Sequence, residues 1–345
     1  MNLFATTVPG LHPILSREIT SLPGAEVNGK AESDGRNDLV RFSARDVSRA
    51  LGLRTSEDVF AEVSSAHSPR SLWRLCSSLV DEISVNRALS VFAREVRPLV
   101  PRMTFRVIAR TRSKSLPRTD FRDELTKSIA RLRPRWRSAD PALLEFWALE
   151  TRPGLFRLGL RLTSKSMRQR GGRAVERRGA LRPSVAAALV LLAGRVEPRA
   201  RLLDPLCGTG SVLREALAAG WLPVGGDLDP AAVSASRRNI GARSLFVADV
   251  RSLPLQHSSV FAVASNLPFG KQYQVQGRPR RWFEATLEEL ARVLAPGRSI
   301  SLLETPSAAF EKAVASRSAL TLLERFDLRL LGARTSLWLL QHRPR

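Results

Sequence analysis

The sequence predicts an α/β protein whose C-terminal half forms a doubly wound, mostly parallel sheet with a terminal antiparallel hairpin. From Pro183 onward, short β-prone runs alternate with helical segments, which is typical of parallel strands joined by crossover helices. Polar or glycine-rich motifs follow four of these runs, as expected where parallel strands end at one edge. Two further β runs, Thr321–Leu330 and Thr335–Gln341, flank Gly332 and predict the hairpin.

Within this half, helices and strands follow from apolar periodicity. Period 3.6 indicates a helix, and short β-branched or apolar runs indicate buried strands. The helices are expected at Ser184–Ala193, Ser211–Ala219, Pro230–Ile240 and Phe283–Leu294. The strands are expected at Arg201–Asp204, Leu222–Asp227, Ser244–Asp249, Val260–Asn266 and Arg298–Glu304.

In the preceding half, the order of predicted strands and helices is typical of a smaller α+β region. The opening Phe4–Leu11 predicts a short strand that ends in a Pro-Gly turn, and further strands are expected at Asp38–Ser43, Asp58–Ser64, Thr104–Arg110, Glu145–Thr151 and Leu155–Leu162. Helices are expected at His12–Leu22, Ala44–Leu51, Leu72–Leu89 and Phe121–Leu132. The stretch 163–182 is rich in Arg and Gly and indicates a linker or a basic loop. The predicted domains are therefore 1–65, 66–165, a basic linker at 166–182, and 183–345.

The charge is unevenly distributed along the chain. The formal net charge is +23, but residues 1–101 contain 12 basic and 12 acidic side chains. Residues 102–182 contain 22 basic and 7 acidic side chains, and residues 183–345 contain 21 and 13. An excess focused in one segment favours a polyanionic partner such as nucleic acid.

Other features of the composition limit the class of protein. No apolar run reaches the roughly 18 residues that a membrane helix needs, and no secretory signal is evident. The two cysteines, Cys76 and Cys207, do not form a metal-type cluster. We therefore expect a cytoplasmic protein with reduced thiols and no metal, and we expect a monomer.

The motif Asp204-Pro-Leu-Cys-Gly-Thr-Gly lies where a strand turns into a helix. Glycines in such a loop let the backbone approach a ligand closely, although the loop lacks the full dinucleotide fingerprint and a P-loop lysine. A tight structural turn is the alternative. Asp227, at the end of the next strand, is placed to accept hydrogen bonds from ribose hydroxyls. Asp229 precedes Pro230 and suits a helix N-cap or a secondary ligand contact. Residues expected to contact a nucleoside cofactor are Asp204, Leu206, Cys207, Gly208, Gly210, Asp227, Leu228, Asp249, Val250 and Asn266.

The pentapeptide Asn266-Leu-Pro-Phe-Gly follows the fourth strand, beside the first. The Asn266 side-chain carbonyl and a backbone carbonyl near Leu267 can accept both N–H bonds of an exocyclic amine. This arrangement aims the nitrogen lone pair at an incoming methyl group. Pro268 fixes the backbone, and Phe269 offers a face on which a base can stack. Asn266, Pro268 and Phe269 are the candidate catalytic residues.

These motifs resemble those of the S-adenosylmethionine-dependent amino-methyltransferases, which have a Rossmann-like domain. Phe4-Ala-Thr-Thr and the basic middle segment are similar to the THUMP-domain tRNA guanine-N2-methyltransferases. The resemblance implies S-adenosylmethionine as cofactor and a guanine amine in tRNA as substrate. It also implies an N-terminal ferredoxin-like domain and a THUMP-like domain that grip tRNA near the acceptor stem and 3′ end. Leu267 stands where many amino-methyltransferases have a proline.

Arginines and one lysine are the candidates for RNA contacts. They are Arg112, Lys114, Arg118, Arg168, Arg170, Arg173, Arg278, Arg280 and Arg281. A solvated surface charge is the alternative for any single member. Asn-x-Pro-Phe recognises an amine and not its ring, so methylation of rRNA guanine N2 or of adenine N6 stays open. A tRNA-binding protein with an inactive methyltransferase domain is the alternative outside the enzymes.

Overall fold

Two compact units, residues 1–169 and 170–345, make up the computed structural model of the chain. The structure describes residues 1–67, 71–113, 116–164, 167, 170, 180–241, 244–268, 279–316 and 319–343. Within these ranges no helix has the length and apolar character needed to cross a membrane.

The first unit is built on one mixed sheet, with nine strands among the described residues. The strands are β1 (Asn2–Thr7), β2 (Ala25–Val27), β3 (Glu32–Ser33), β4 (Asp38–Ala44), β5 (Asp58–His67), β6 (Thr104–Arg110), β7 (Arg137–Ser138), β8 (Leu144–Arg152) and β9 (Leu155–Arg161). Their order is β2-β4-β1-β5-β9-β8-β6-β7, and β3 also pairs with β4. The β6–β8 and β6–β7 pairs are parallel, and the others are antiparallel.

Helices of the first unit pack their apolar stripes into the core of this sheet. They are α1 (His12–Ser21), α2 (Val47–Leu51), α3 (Leu72–Leu79), α4 (Glu82–Glu95) and α5 (Arg118–Leu132). The prediction of a single helix over Leu72–Leu89 is wrong, because the structure has two helices there, α3 and α4, with a short non-helical connection between them. Asp81 starts α4 by accepting a hydrogen bond from the Ser84 backbone N–H at 2.9 Å.

The pairing of β5 with β9 joins the early and late parts of the first unit into one sheet. β5 runs through residue 65, where the sequence analysis placed a domain boundary. The division into 1–65 and 66–165, and the ferredoxin-like and THUMP-like character of the two parts, remain predictions. Most of the predicted linker 166–182 lies outside the described residues.

The second unit contains the predicted doubly wound sheet. Its strands are β10 (Arg201–Asp204), β11 (Leu222–Asp227), β12 (Leu245–Val247), β13 (Val260–Asn266), β14 (Leu294–Glu304), β15 (Leu320–Leu330) and β16 (Ala333–His342). The order is β12-β11-β10-β13-β14-β16-β15. The pairs from β12 to β14 are parallel, whereas β16 is antiparallel to β14 and to β15. The predicted terminal hairpin is therefore present.

Helices connect these strands. They are α6 (Pro183–Leu192), α7 (Ser211–Ala218), α8 (Pro230–Ile240), α9 (Pro279–Val293) and α10 (Ala308–Ala315). Leu203 of β10 and Val263 of β13 share one apolar cluster with Phe283 and Leu287 of α9. Cys207, which follows β10, instead belongs to a separate cluster that also contains residues of α7 and α8. The helices thus cover the sheet with apolar side chains while the strand ends stay available for polar groups.

Candidate active site

Each of four neighbouring parallel strands in the second unit has a polar residue at its C-terminal end. Asp204, Asp227, Asn266 and Glu304 are the last residues of β10, β11, β13 and β14. Because these strands are parallel, the four residues meet at the carboxyl edge of the sheet. β10 lies between β11 and β13, so the strand order reverses there. That reversal is the position at which open α/β sheets bind ligands.

The loop after β10 is shaped by two glycines with positive φ. Gly208 has φ +51, and apart from its chain neighbours no atom of the described residues lies within 4 Å of the position that a Cβ would take there. Gly210 has φ +84, and a Cβ would come within 2.6 Å of the Ser236 hydroxyl oxygen. Gly210 therefore packs the loop onto α8, while Gly208 leaves open space beside the strand end. The loop geometry fits close approach of a ligand at Gly208.

Asp227 ties the glycine loop to the end of β11. Its Oδ2 accepts from the Gly208 backbone N–H at 2.9 Å, and its Oδ1 accepts from the Asp229 N–H at 3.0 Å. Asp229 in turn accepts from the Ala231 N–H at 2.8 Å and is the N-cap of α8. The capping alternative for Asp229 is thus observed. Asp227 is half-buried, and a carboxylate has acceptor capacity for further hydrogen bonds.

Asp204 is buried and connects the two strands at the reversal. Its Oδ1 accepts from the Ser265 hydroxyl at 2.6 Å and from the Leu206 N–H at 3.3 Å. Burial raises the pKa of Asp204 to about 7, the nearby Asp227 charge adds to this, and the two hydrogen bonds oppose it. These contacts make Asp204 a residue that positions the strand ends, and its role as a direct cofactor ligand stays a prediction.

The remaining predicted cofactor residues have different environments. Cys207 is buried, and burial raises the pKa of its thiol, so the sulfur stays protonated and packs as an apolar group. Leu206 is half-buried, whereas Leu228 is 66% exposed. Val250 is buried in the core beside β13. Leu228 therefore offers apolar surface at the edge, and Val250 contributes packing.

Asp249 already has a charged partner. Its Oδ2 lies 2.5 Å from Arg251 Nη2, and its Oδ1 accepts from the Arg251 backbone N–H at 2.9 Å. The side-chain hydrogen bond from Arg251 holds the pKa of Asp249 below its usual value. A turn after β12 therefore explains this residue structurally, and β12 ends at Val247, earlier than predicted. A contact with an adenine amino group would share the carboxylate with Arg251.

Asn266 ends β13 beside the strand reversal. Its Oδ1 is buried and has no hydrogen-bond partner among the described residues. An acceptor that is neither solvated nor paired is unfavourable in a folded protein, so a bound water, ion or ligand is expected to complete it. Leu267 donates its N–H to the Leu303 carbonyl at 2.9 Å, and its side chain is buried in the core. Pro268 is half-buried, and Phe269 lies outside the described residues.

Glu304 was not among the site residues predicted from the sequence. This residue ends β14 one position after Leu303, the neighbour of Asn266 across the two strands. It is 3% exposed, its Oε2 has no hydrogen-bond partner in the described part of the chain, and burial raises its pKa to about 8. A carboxyl group that keeps its proton near neutral pH can both donate and accept. The strand-end rule that singled out Asn266 would also have found Glu304.

Two of the predicted RNA-contact arginines are engaged within the protein. The Arg112 guanidinium donates to the Ser33 carbonyl at 2.8 Å, within the first unit. Arg170 forms an ion pair with the buried Glu215 and donates to the Pro183 carbonyl at 3.3 Å, within the second unit. For both residues these contacts favour a structural role over an RNA contact.

The other predicted RNA contacts divide by whether the structure describes them. Arg118, at the start of α5, and Arg281, in α9, are exposed. Arg280 pairs with Glu284 one helical turn later, at 2.8 Å. Lys114, Arg168, Arg173 and Arg278 lie outside the described residues. No cluster of three or more potential metal-binding His, Cys, Asp or Glu residues is found in the described ranges.

Fold and site together define a Rossmann-like methyltransferase, with a glycine loop after the central strand and polar groups at the strand reversal. The family model described as "RMKL-like, methyltransferase domain" matches residues 170–330. TrmN from Thermus thermophilus has the same overall fold, with a TM-score of 0.75 over 99% of both chains at 24% identity.

Sequence relatives narrow the class further. A tRNA (guanine(6)-N2)-methyltransferase of Thermus thermophilus is 31% identical over 331 residues, which cover 91% of this chain and 92% of that protein. The U6 snRNA (guanine-N(2))-methyltransferase THUMPD2 of Bos taurus is 34% identical over 140 residues, 38% of this chain and only 27% of that longer protein. The chain belongs to the family of tRNA (guanine-N2)-methyltransferases that includes the Thermus protein. This family is one of the S-adenosylmethionine-dependent methyltransferases.

Proposed function

We propose that this protein methylates the exocyclic N2 amine of a guanine in tRNA. The observation that carries the proposal is the buried Asn266 Oδ1 at the strand reversal, which has no hydrogen-bond partner among the described residues. An amine conjugated to a purine ring is a poor nucleophile, because its lone pair is delocalised into the ring. An acceptor that holds one N–H bond, helped by the backbone near Leu267, turns the lone pair away from the ring. Positioning of this kind lowers the barrier to transfer, in which the N–C bond forms as the S–C bond breaks, and the methylated nitrogen then loses a proton to solvent.

The edge of the sheet has features that suit the cofactor. The open space beside Gly208 and the half-buried Asp227 carboxylate fit a nucleoside with ribose hydroxyls. When bound, S-adenosylmethionine supplies a methyl group activated by a sulfonium sulfur, so the proposed transfer needs no metal. Asp227 would accept from the ribose, and Asp249 would accept from the adenine amine. Asn266 and Pro268 would hold the target amine, with Phe269 stacking on the base.

The substrate assignment rests on the family and on charge. The Thermus relative, which aligns along nearly the whole chain, is named as a tRNA guanine-N2 enzyme. The +15 balance of residues 102–182 suits a polyanion. We infer that the first unit grips tRNA through its THUMP-like part, near the acceptor stem and 3′ end. The proposed enzyme is a cytoplasmic monomer.

An alternative substrate amine is adenine N6, or guanine N2 in rRNA, because Asn266 recognises only the amine. The test is transfer of a labelled methyl group from S-adenosylmethionine to purified tRNA, rRNA and DNA, with cofactor binding measured by calorimetry. We expect label in tRNA. Label confined to rRNA or DNA would reject the tRNA assignment, and absence of cofactor binding would favour a non-catalytic tRNA-binding protein.

A further inference from the structure

The hairpin formed by β15 and β16 projects beyond the carboxyl edge of the sheet. The last β14–β16 pair is Glu304 with Ser336, yet β16 begins at Ala333. Three residues of β16 therefore extend past the end of β14. At about 3.3 Å per residue, the hairpin tip reaches about 10 Å past that edge. The projecting tip lies on the same edge as Asn266, two strands away.

The tip carries a leucine in an unfavourable conformation. Leu330 pairs with Ala333, so Leu331 and Gly332 form a two-residue turn with φ +51 and +86. Turns with two positive φ values favour Asn-Gly, because a leucine side chain is strained in the left-handed region. Leu331 is also 90% exposed. The fold therefore gains neither turn stability nor apolar burial from this side chain.

Two arginines face each other just below the tip. Arg329 and Arg334 are direct cross-strand neighbours, and both are exposed. Like charges directly opposite each other destabilise a strand pair. Asp327, which interacts electrostatically with Arg334, offsets only part of this repulsion because two arginines face each other. A strained exposed leucine and facing arginines are two separate violations of local preference within six residues of chain. Such violations are expected where a ligand, and not the fold, determines the residue type.

We propose that this tip, Arg329 to Arg334, contacts the RNA substrate beside the nucleotide that enters the active site. Leu331 packs against the neighbouring base that is uncovered when the target nucleotide leaves its stack. Arg329 and Arg334 contact the flanking phosphates, which relieves their mutual repulsion. This inference rests on the proposed function, since it requires a structured RNA substrate.

The experiment compares steady-state methylation of folded tRNA by the full-length protein and three variants. Leu331→Asn places the favoured residue in the turn, so we expect Tm to rise by about 2 °C while kcat/KM for tRNA falls about 10-fold or more. Leu331→Met keeps an apolar side chain with the same strain and should stay within about 2-fold of wild type. Leu323→Asn removes an exposed leucine from the same hairpin, away from the tip, and should leave methylation unchanged.

In Leu331→Asn the expected rise in stability and fall in activity have opposite signs, and a purely structural role for Leu331 would not produce both. Leu331→Asn that methylates tRNA at the wild-type rate would overturn the inference, as would a Leu331→Met defect equal to that of Leu331→Asn. A loss of stability in Leu331→Asn would reject the strain argument on which the inference depends. Wild-type protein that methylates no tRNA would reject the proposed function itself, independently of the hairpin.

Discussion

Asn266 has a buried acceptor oxygen that no described residue hydrogen-bonds, and this makes its substitution informative. Asn266→Ala removes a buried group that lacks a partner in the described structure, so we expect Tm to be maintained or raised. Methyl transfer should fall by at least about 100-fold, because the target amine loses its side-chain acceptor. Steady-state kinetics and filter binding should show this loss with tRNA affinity within about 2-fold of wild type. A variant that keeps full activity would reject Asn266 as the residue that holds the amine.

The burial of Asp204 at the end of β10 makes the stability of the protein depend on pH. Burial raises its pKa in the folded protein to about 7, above the usual value near 4 in an unfolded chain. The unfolded state therefore releases this proton first as pH rises, so the contribution of Asp204 to stability declines between about pH 4 and pH 7. Asp204→Asn keeps an acceptor for Ser265 without the ionisation. Relative to wild type, we expect the variant to gain up to about 4 kcal/mol on going from pH 4 to pH 8.

Urea unfolding at both pH values measures that difference, with Ser265→Ala as a control that removes only the hydroxyl donor. Because Asp204 loses a bond that favours its charged form, the control should decline more steeply with pH than wild type. An Asp204→Asn variant with the same pH dependence as wild type would contradict a carboxyl that ionises near pH 7 in the folded protein.

At the level of single residues, the sequence allowed some site residues to be predicted and not others. The strand-end positions of Asn266 and Asp227 could be predicted because each ends an apolar run before a turn. Two ion pairs could not be predicted from the sequence, that of Asp249 with Arg251 and that of Arg170 with Glu215. Those contacts depend on side-chain geometry, which periodicity does not contain.

Among the elements, the start of α8 lies beside two acids to which we assign different roles, a helix cap for Asp229 and a proposed cofactor contact for Asp227. Asp229→Ala removes the N-cap and should lower stability by about 1 kcal/mol with cofactor affinity unchanged. Asp227→Ala should instead weaken cofactor binding at least about 10-fold, because it removes the proposed acceptor for the ribose. Thermal unfolding and calorimetry on the two variants measure both effects. The reverse pattern, in which Asp229→Ala alone weakens binding, would exchange the assigned roles.

Local patterns predicted most strands and helices of the second unit, since β–α alternation and turn residues are encoded over short stretches. The break between α3 and α4 was missed because apolar periodicity continues across Asp81. The pairing of β5 with β9 was also not predictable, because it joins strands almost 100 residues apart. Such long-range pairing is decided by packing and not by local propensity.

At the scale of the whole molecule, the arginines of the basic segment 102–182 fall into two groups, those paired with acidic side chains and those exposed to solvent. Arg106 pairs with Glu145, Arg110 with Asp34, and Arg157 with the buried Glu32. Part of the arginine excess therefore balances acidic side chains inside the first unit. The exposed members, such as Arg118, are left as candidates to contact phosphates.

Reversing basic charge in this segment should reduce the salt dependence of RNA binding. For the double substitution Lys114→Glu and Arg118→Glu, we expect weaker tRNA binding. When the logarithm of the binding constant is plotted against the logarithm of the salt concentration, the slope should be smaller in magnitude by about 1–2. Arg36→Glu with Arg87→Glu makes the same charge change at exposed positions in the neutral first 101 residues and is the matched control. Equal effects of the two double variants would indicate a response to net charge and not to a specific RNA-binding face.

The central claim, that the carboxyl edge of the second sheet methylates a guanine amine, is tested most directly by identifying the product. Unmodified tRNA is incubated with the full-length protein and S-adenosylmethionine, digested to nucleosides, and analysed by mass spectrometry. We predict N2-methylguanosine with the wild-type protein and none with Asn266→Ala. N6-methyladenosine, or a methyl group on a ring nitrogen or ribose, would contradict the account.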